Sequence, residues 1–384
     1  MDWMGESLDQ CVEDACGDSC SSRDMDMCDQ IDGDQHLVNL MDNWGYAPLH
    51  PDNLPSFPPL HRGVHLTVGA CILVAGLLGS ISNATLISIH YRLRQHILDP
   101  TGILLLNFCI ANFLMCVLQF PFSSTSSFVG SWVWGDTGCQ LYAAAGFFLG
   151  IGVIYALGVL IVDRYTQITL NRRPCKTDIS LWFMIIISWH AVLLFTAPPL
   201  LDVFGRYGPE PSGTMCTLDF WHGNFRNYNS YVYFLVACGF VAPTSAMLLM
   251  FLKSAKSIKD PNIRKRWNSV QLIHHEAVVK TCGFLFLAAM ACWTPYAVLV
   301  LWTVVFPPTS LNIYYTLIPP IICKLAPGVN AVIIWRNIPR IQAGYRYLKS
   351  NRDGSLPPEL GQMDGFQDGD ELVQEKLAPT LTVD

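Results

Sequence analysis

Long apolar blocks separated by short polar links run through most of the chain. Seven of them reach the roughly 20 residues that a helix needs to cross a bilayer: 64–90, 100–126, 139–162, 179–203, 229–252, 277–306 and 311–335. The pattern predicts an all-α membrane protein, a seven-transmembrane helix bundle over 64–336. Several blocks contain proline: Pro121, Pro198, Pro199, Pro243, Pro295, Pro319, Pro320 and Pro327. Inside a bundle the carbonyls that proline frees are met by neighbouring helices or water, so these predict kinks, not span ends. Residues 337–349 set Arg340, Arg346 and Lys349 beside Ile341, Tyr345, Tyr347 and Leu348. That is the pattern of a short amphipathic helix on a membrane surface. Flanking the bundle are an acidic, cysteine-bearing tail, 1–63, and an acidic stretch without periodicity, 350–384, expected to be a flexible tail.

Composition narrows the function. Only 14% of residues are charged, against roughly 25% in a typical soluble protein, which argues against a soluble enzyme or a disordered chain. A net charge of −6 gives no general attraction to phosphate, so nucleic acid is not an expected partner. No internal repeat is evident, which argues against a transporter.

Basic residues set the expected orientation. The links at 91–98, 164–178 and 253–276 carry Arg92, Arg94, Arg164, Arg172, Arg173 and Lys176, then Lys253, Lys256, Lys259, Arg264, Lys265 and Arg266. The opposite links at 127–138, 204–228 and 307–310 hold only Arg206 and Arg226. The first tail has Arg23 and Arg62 against thirteen acidic residues. These counts predict the N-terminus outside and the C-terminus in the cytoplasm, with the first span serving as an uncleaved signal anchor.

Of fourteen cysteines, Cys11, Cys16, Cys20 and Cys28 lie in the outer tail, where disulfides are permitted and three pairings are open. No histidine lies among them, so a metal site is not expected. Cys139 opens the third span and Cys216 sits in the second outer loop; their bridge would tie that loop over the mouth of the bundle. The sequon Asn83-Ala84-Thr85 falls inside the first span, out of reach of glycosylation.

Lys324 carries the most information. It precedes Trp335 by eleven residues, so it lies roughly 16 Å from the inner end of the seventh span, near the bilayer midplane. A lysine there costs on the order of 2.5–3.5 kcal/mol on insertion scales and is too deep to snorkel. A buried amine kept at that cost points to covalent chemistry, a Schiff base with an aldehyde. A protonated Schiff base needs a nearby anion, or desolvation drives its proton away. The third span has no acid between Gln140 and Val162, which leaves two loop carboxylates, Glu210 and Asp219, on either side of Cys216. Trp293 and Tyr296 beside Pro295, with Phe147, Phe148, Trp189 and Phe240, are the candidate lining for an extended apolar ligand. At the inner end of the third span, Asp163-Arg164-Tyr165 reads as a charge lock that ionises or releases with conformation.

Taken together these residues resemble the opsins, retinal-binding members of the rhodopsin-like G-protein-coupled receptors, from about residue 64 to 348. The likeness rests on Asn83, Asn112, Trp132 to Cys139, Asp163-Arg164-Tyr165, Trp189, Pro243, Cys292-Trp293-Thr294-Pro295-Tyr296 and Asn330, and above all on Lys324, six residues before Asn330. The resemblance implies retinal carried on Lys324 and a loop counterion at Glu210, in Arg206-Tyr207-Gly208-Pro209-Glu210. Tyr142 stands at the third-span site where vertebrate visual pigments place a glutamate, which points to a non-vertebrate type with a loop counterion. The resemblance also implies an Arg206–Asp219 ion pair. The stretches from Glu210 to Phe220 and from Lys324 to Ala331 are similar to those of retinochromes, peropsins, neuropsins and retinal photoisomerases.

The implied function is a light-sensing receptor in a plasma or photoreceptor membrane, coupling to a heterotrimeric G protein through Asp163, Arg164 and Tyr165, with arrestin a further partner. One departure favours a second reading. Where signalling opsins carry Asn-Pro-x-x-Tyr, this chain has Asn330-Ala331-Val332-Ile333-Ile334, and the fifth-span tyrosine is Phe251. Without those hydroxyls a polar contact of the active bundle is lost, as expected of a retinal photoisomerase that signals weakly.

Overall fold

The computed structural model describes residues 60–94, 99–171, 178–219, 228–306 and 312–350. The four tail cysteines, the links holding Arg172, Arg173, Lys176 and Arg226, most of the 1–63 tail and the tail after Ser350 lie outside the described residues. Among the described residues seven helices make the bundle: α1 (Arg62–Arg92), α2 (Pro100–Val129), α3 (Gly135–Ile168), α4 (Asp178–Thr196), α5, α6 (Ser269–Val305) and α7 (Ile313–Asn337). Helix α5 runs as Tyr228–Phe234 and Ala242–Ser257, joined through a π-helical stretch, Leu235–Val241. Helix α8 (Pro339–Ser350) follows α7 and buries Arg340, Ile341, Ala343 and Gly344, on the segment the amphipathic pattern marks.

Six of the seven are long and apolar enough to cross a membrane, and Ser180–Thr196 is a shorter apolar helix. At 1.5 Å per residue even α4, with 19 residues, extends about 28 Å, close to the hydrocarbon thickness. Large apolar side chains such as Leu78, Ile81, Leu194 and Leu287 stay exposed on the bundle's outside, as a lipid-facing surface requires. Helix α3 packs against α2, α4, α5 and α6 and forms the axis of the molecule.

Local chemistry fixes the helix ends. Asp99 caps α2 by accepting from the Gly102 amide at 2.7 Å, with Pro100 at the first helical position. Gly130, at φ 94°, closes the same helix by donating its amide to the Ser126 carbonyl. Asn268 and Gln271 form a reciprocal capping box at the start of α6. The prolines divide. Pro121, Pro295, Pro319, Pro320 and Pro327 sit inside continuous helices. The Pro198-Pro199 pair instead follows the end of the α-helix at Thr196 and opens a 3-10 turn, Pro198–Leu201. This corrects the expectation that every proline kinks a span: with no N–H to donate, neither Pro198 nor Pro199 extends the α-helical ladder and the chain tightens into 3-10 geometry, whereas the Pro319-Pro320 pair is accommodated inside α7. Around Pro243 the chain widens into the π stretch, which absorbs the missing hydrogen bond without ending the span. Helices α3 and α6 also extend past their apolar blocks, because hydropathy does not register helix that continues into water; Asp163-Arg164-Tyr165 therefore lies within α3.

Candidate functional site

Residues 198–219 fold as a lid at one end of the bundle. Strands β1 (Tyr207–Pro209) and β2 (Cys216–Leu218) pair antiparallel, Tyr207 opposite Leu218 and Pro209 opposite Cys216. The bridge between Cys139 and Cys216 is present and ties β2 to the start of α3. Gln140 donates to the Tyr207 carbonyl at 2.5 Å, and the Tyr207 hydroxyl donates to the Thr196 carbonyl at 3.0 Å. Burial pushes that hydroxyl well above its ordinary acidity range. The guanidinium of Arg206 lies 3.6 Å from Asp136, while Asp219 meets Arg206 through its own amide and the Arg206 carbonyl, at 2.9 Å. The partner found for Arg206 is thus at the head of α3, where the helix start offers an acid that the loop sequence does not reveal.

Under the lid lies a cavity between α2, α3, α5, α6 and α7. Lys324 opens onto it from α7, and its Nζ donates to the Tyr142 hydroxyl of α3 at 2.7 Å. Tyr142 is buried, and its ring lies 5.3 Å from the amine. Glu210 reaches the same cavity from the hairpin turn, where its amide donates to the Met215 carbonyl at 2.9 Å. Burial pushes the Glu210 carboxyl up to about 7, while the positive charge of Lys324 pulls it the other way. The lining is otherwise largely apolar, with Phe147, Phe240, Trp293 and Val300 among it. The Tyr296 hydroxyl meets the Thr217 hydroxyl of β2, fastening α6 to the lid. Glycine sets the depth of the wall: a Cβ on Gly150 would come within 2.5 Å of the Trp293 ring.

Of the candidates for ligand contact, Lys324, Glu210, Tyr142, Trp293, Tyr296 and Phe240 converge on this cavity. Trp189 does not. It packs against Phe148, covers Gly152 and donates to the Asn107 side chain at 3.1 Å. Helix α4 stands behind α3 as seen from the cavity, so its tryptophan serves helix packing, and Phe148 is occupied with it. Sequence reasoning missed Thr217, the π stretch of α5 and Gln119. Gln119 could have been found as an amide stranded in an apolar span; it donates to the Tyr142 carbonyl at 2.8 Å.

At the opposite end, where the basic links emerge, a second polar cluster is closed. Arg164 is 2% exposed and Asp163 fully buried. The guanidinium donates to Asp163, to the Thr101 hydroxyl at 2.6 Å and to His275 of α6 at 3.1 Å. Gln167 donates to the other Asp163 oxygen at 2.8 Å. Tyr165 lies outside this network, under the Lys253 ammonium at 5.9 Å. Between the clusters, Asn330 donates to Asn112 at 2.9 Å and Asn83 to the Pro327 carbonyl at 3.1 Å. Ile334 is fully buried and the Phe251 ring packs on Gly283.

Residues 82–333 match the model of the 7 transmembrane receptor (rhodopsin family). The chain is 27% identical over 280 residues to the human visual pigment-like receptor peropsin, covering 70% of this chain and 80% of that protein. It is 27% identical over 296 residues to mouse opsin-5, covering 73% and 76%. Among solved structures, squid rhodopsin superposes with a TM-score of 0.69 at 20% identity, over 88% of this chain and 99% of that one, a likeness of fold.

Proposed function

The chain belongs to the rhodopsin family of seven-transmembrane receptors, and we propose that it is a light-sensing opsin of non-vertebrate type that binds retinal on Lys324. One observation carries the attachment site: the Lys324 amine stands at the wall of a large, mostly apolar cavity, beside a phenol and within reach of a carboxylate's field. An amine, an apolar cleft and a single anion are what an aldehyde-bearing polyene requires. Retinal bound there would supply light absorption and a change of shape on isomerisation. The chain's own residues do the rest. Tyr142 orients the lysine nitrogen and Glu210 provides the balancing charge. Trp293 and Tyr296 link the cavity wall to α6, so a ligand isomer that fits one arrangement of α6 better shifts the population toward it.

By this reading the basic end, with Lys253, Lys256, Lys259 and Arg264, faces the cytoplasm and meets a heterotrimeric G protein, and arrestin, once Arg164 is uncovered. The test is absorbance of the purified protein with 11-cis and with all-trans retinal, dark and illuminated. A visible band is expected, and Lys324→Ala should abolish it; a band that survives the substitution removes Lys324 from the role.

A second reading has its own observation. Ile334, fully buried, and Phe251, packed on Gly283, lack the hydroxyls of the tyrosines that signalling opsins carry at these positions, which favours a photoisomerase with weak signalling. Light-dependent nucleotide exchange on purified G proteins, run beside chromatography of extracted retinal isomers, separates the two. Signalling without isomer turnover supports the sensor, and turnover without signalling supports the isomerase.

A further inference from the structure

His275 takes no part in the cavity, yet it is the side chain through which α6 reaches Arg164 of α3. Its Nδ1 lies 3.1 Å from the guanidinium Nη1. A guanidinium only donates, so Nδ1 must accept, which fixes the ring as neutral with its proton on Nε2. The remaining guanidinium donors in this network go to Asp163 and Thr101. Trp267 packs on the imidazole with centroids 4.6 Å apart, and His275 is 8% exposed.

Charged and titratable groups face this contact from each neighbouring element. Asp163 and Arg164 come from α3, and Asp99, at the head of α2, lies 4.0 Å from His274 and accepts from Arg340 of α8 at 3.3 Å. His90 of α1 is buried with Nδ1 against the Leu86 carbonyl at 2.8 Å. On α6 itself, His274 adjoins, and Glu276 turns to Arg264. Lys253 of α5 sits over Tyr165. The two carboxylates nearby are already engaged, buried Asp163 by Arg164 and Gln167, and half-buried Asp99 by Arg340 and the Gly102 amide. A proton on Nδ1 would therefore set an N–H of a cation against the Arg164 guanidinium, the one group hydrogen-bonded to that nitrogen among the described residues.

We propose that His275 is a proton-operated latch: the neutral imidazole holds α6 to Arg164, and protonation of the ring releases it. Separation of α6 from α3 then takes up one proton and is favoured by acid. The sign follows from linkage: the closed arrangement admits no proton at Nδ1, while an exposed imidazole binds one near its ordinary value of about 6.5. Between pH 7.5 and 5.5 the open-to-closed ratio should rise roughly tenfold. The latch belongs to the bundle and does not depend on whether Lys324 carries a chromophore.

A fluorescent or spin label at Ile273→Cys, exposed on α6, with the other reactive cysteines replaced by serine, reports this ratio in ligand-free protein in nanodiscs. Wild type should open on acidification, and His275→Gln, whose amide oxygen still accepts from Arg164, should lose the pH response. His274→Gln and His90→Gln should keep it. His275→Glu, which gives Arg164 an anion, should stay more closed than wild type at pH 7.5. A response that persists in His275→Gln, moves to another histidine, or is missing from wild type between pH 7.5 and 5.5 overturns the proposal.

Discussion

Helix α3 carries two buried polar clusters, one around Tyr142 and one around Arg164, roughly 33 Å apart along the same axis. They are built on opposite terms. At the lid end a lysine, a phenol and a carboxylate share a cavity with largely apolar walls. At the basic end an arginine is surrounded by an aspartate, a threonine and a histidine, and a tryptophan packs on the histidine. Both remove charge from water, which is tolerable only when hydrogen bonds and counter-charges replace the solvent. The lid end leaves space beside its amine and carboxylate, as a binding site does. The basic end fills its donors from the protein itself, as a closure does. One bundle thus keeps a place for a ligand at one end and a contact that must break at the other.

The sharpest break comes at the filled end. Arg164→Ala would strand the buried Asp163 without its cation, a change worth about 3–5 kcal/mol for a buried pair, and would free α6 from α3. A lowered thermal midpoint together with raised ligand-independent opening of α6 is expected. A variant as stable and as closed as wild type would mean that the network does not hold the bundle.

A smaller effect is expected at the roomy end. The carboxyl of Glu210 sits near 7 in the folded protein, above its ordinary value. An acid raised in this way stabilises the fold below the ordinary carboxylate range, and the contribution is lost as pH rises through about 7. Ligand-free protein should therefore lose on the order of 2 kcal/mol between pH 5 and 8, seen as a falling thermal midpoint. Glu210→Gln should flatten that dependence. The same substitution, in protein loaded with retinal, should move a visible band toward the ultraviolet near neutral pH; an unchanged band and an unchanged pH profile would take Glu210 out of the site.

The smallest effect sharpens the boundary of the cavity. Trp189→Phe loses the hydrogen bond to Asn107 and some packing on Gly152, worth about 1 kcal/mol. It should leave the absorbance maximum of the retinal-loaded protein unmoved. A shift comparable to that of Trp293→Phe would place α4 at the ligand after all.

Particular residues show why some of this was legible in the sequence. Lys324 stands out because an amine in the middle of an apolar span is costly and is rarely kept without a use. Cys139 and Cys216 stand out because one heads a span and the other lies in a loop beside it. Trp189 and Phe148 misled because an aromatic on an apolar helix carries no mark of which neighbour it faces. His275 was invisible for a related reason: its importance comes from Arg164, 111 positions away in the chain. The end of α4 at Thr196 turned on how a proline pair is accommodated: Pro198-Pro199 stands in a 3-10 turn, while Pro319-Pro320 stays inside a continuous helix.

Hydropathy alone determined the spans, because in lipid each backbone donor and acceptor must be satisfied within its own helix, so long apolar blocks have one regular solution. The amine at mid-span and the two cysteines of the bridge were equally readable, since each is anomalous against its local background. Only the tertiary structure decided that Tyr142 meets Lys324, that Glu210 shares their cavity, that Trp189 turns away and that a histidine holds Arg164. Those are choices of helix rotation and of contact between distant segments, and an apolar helix can turn about its axis with little change in its hydropathy.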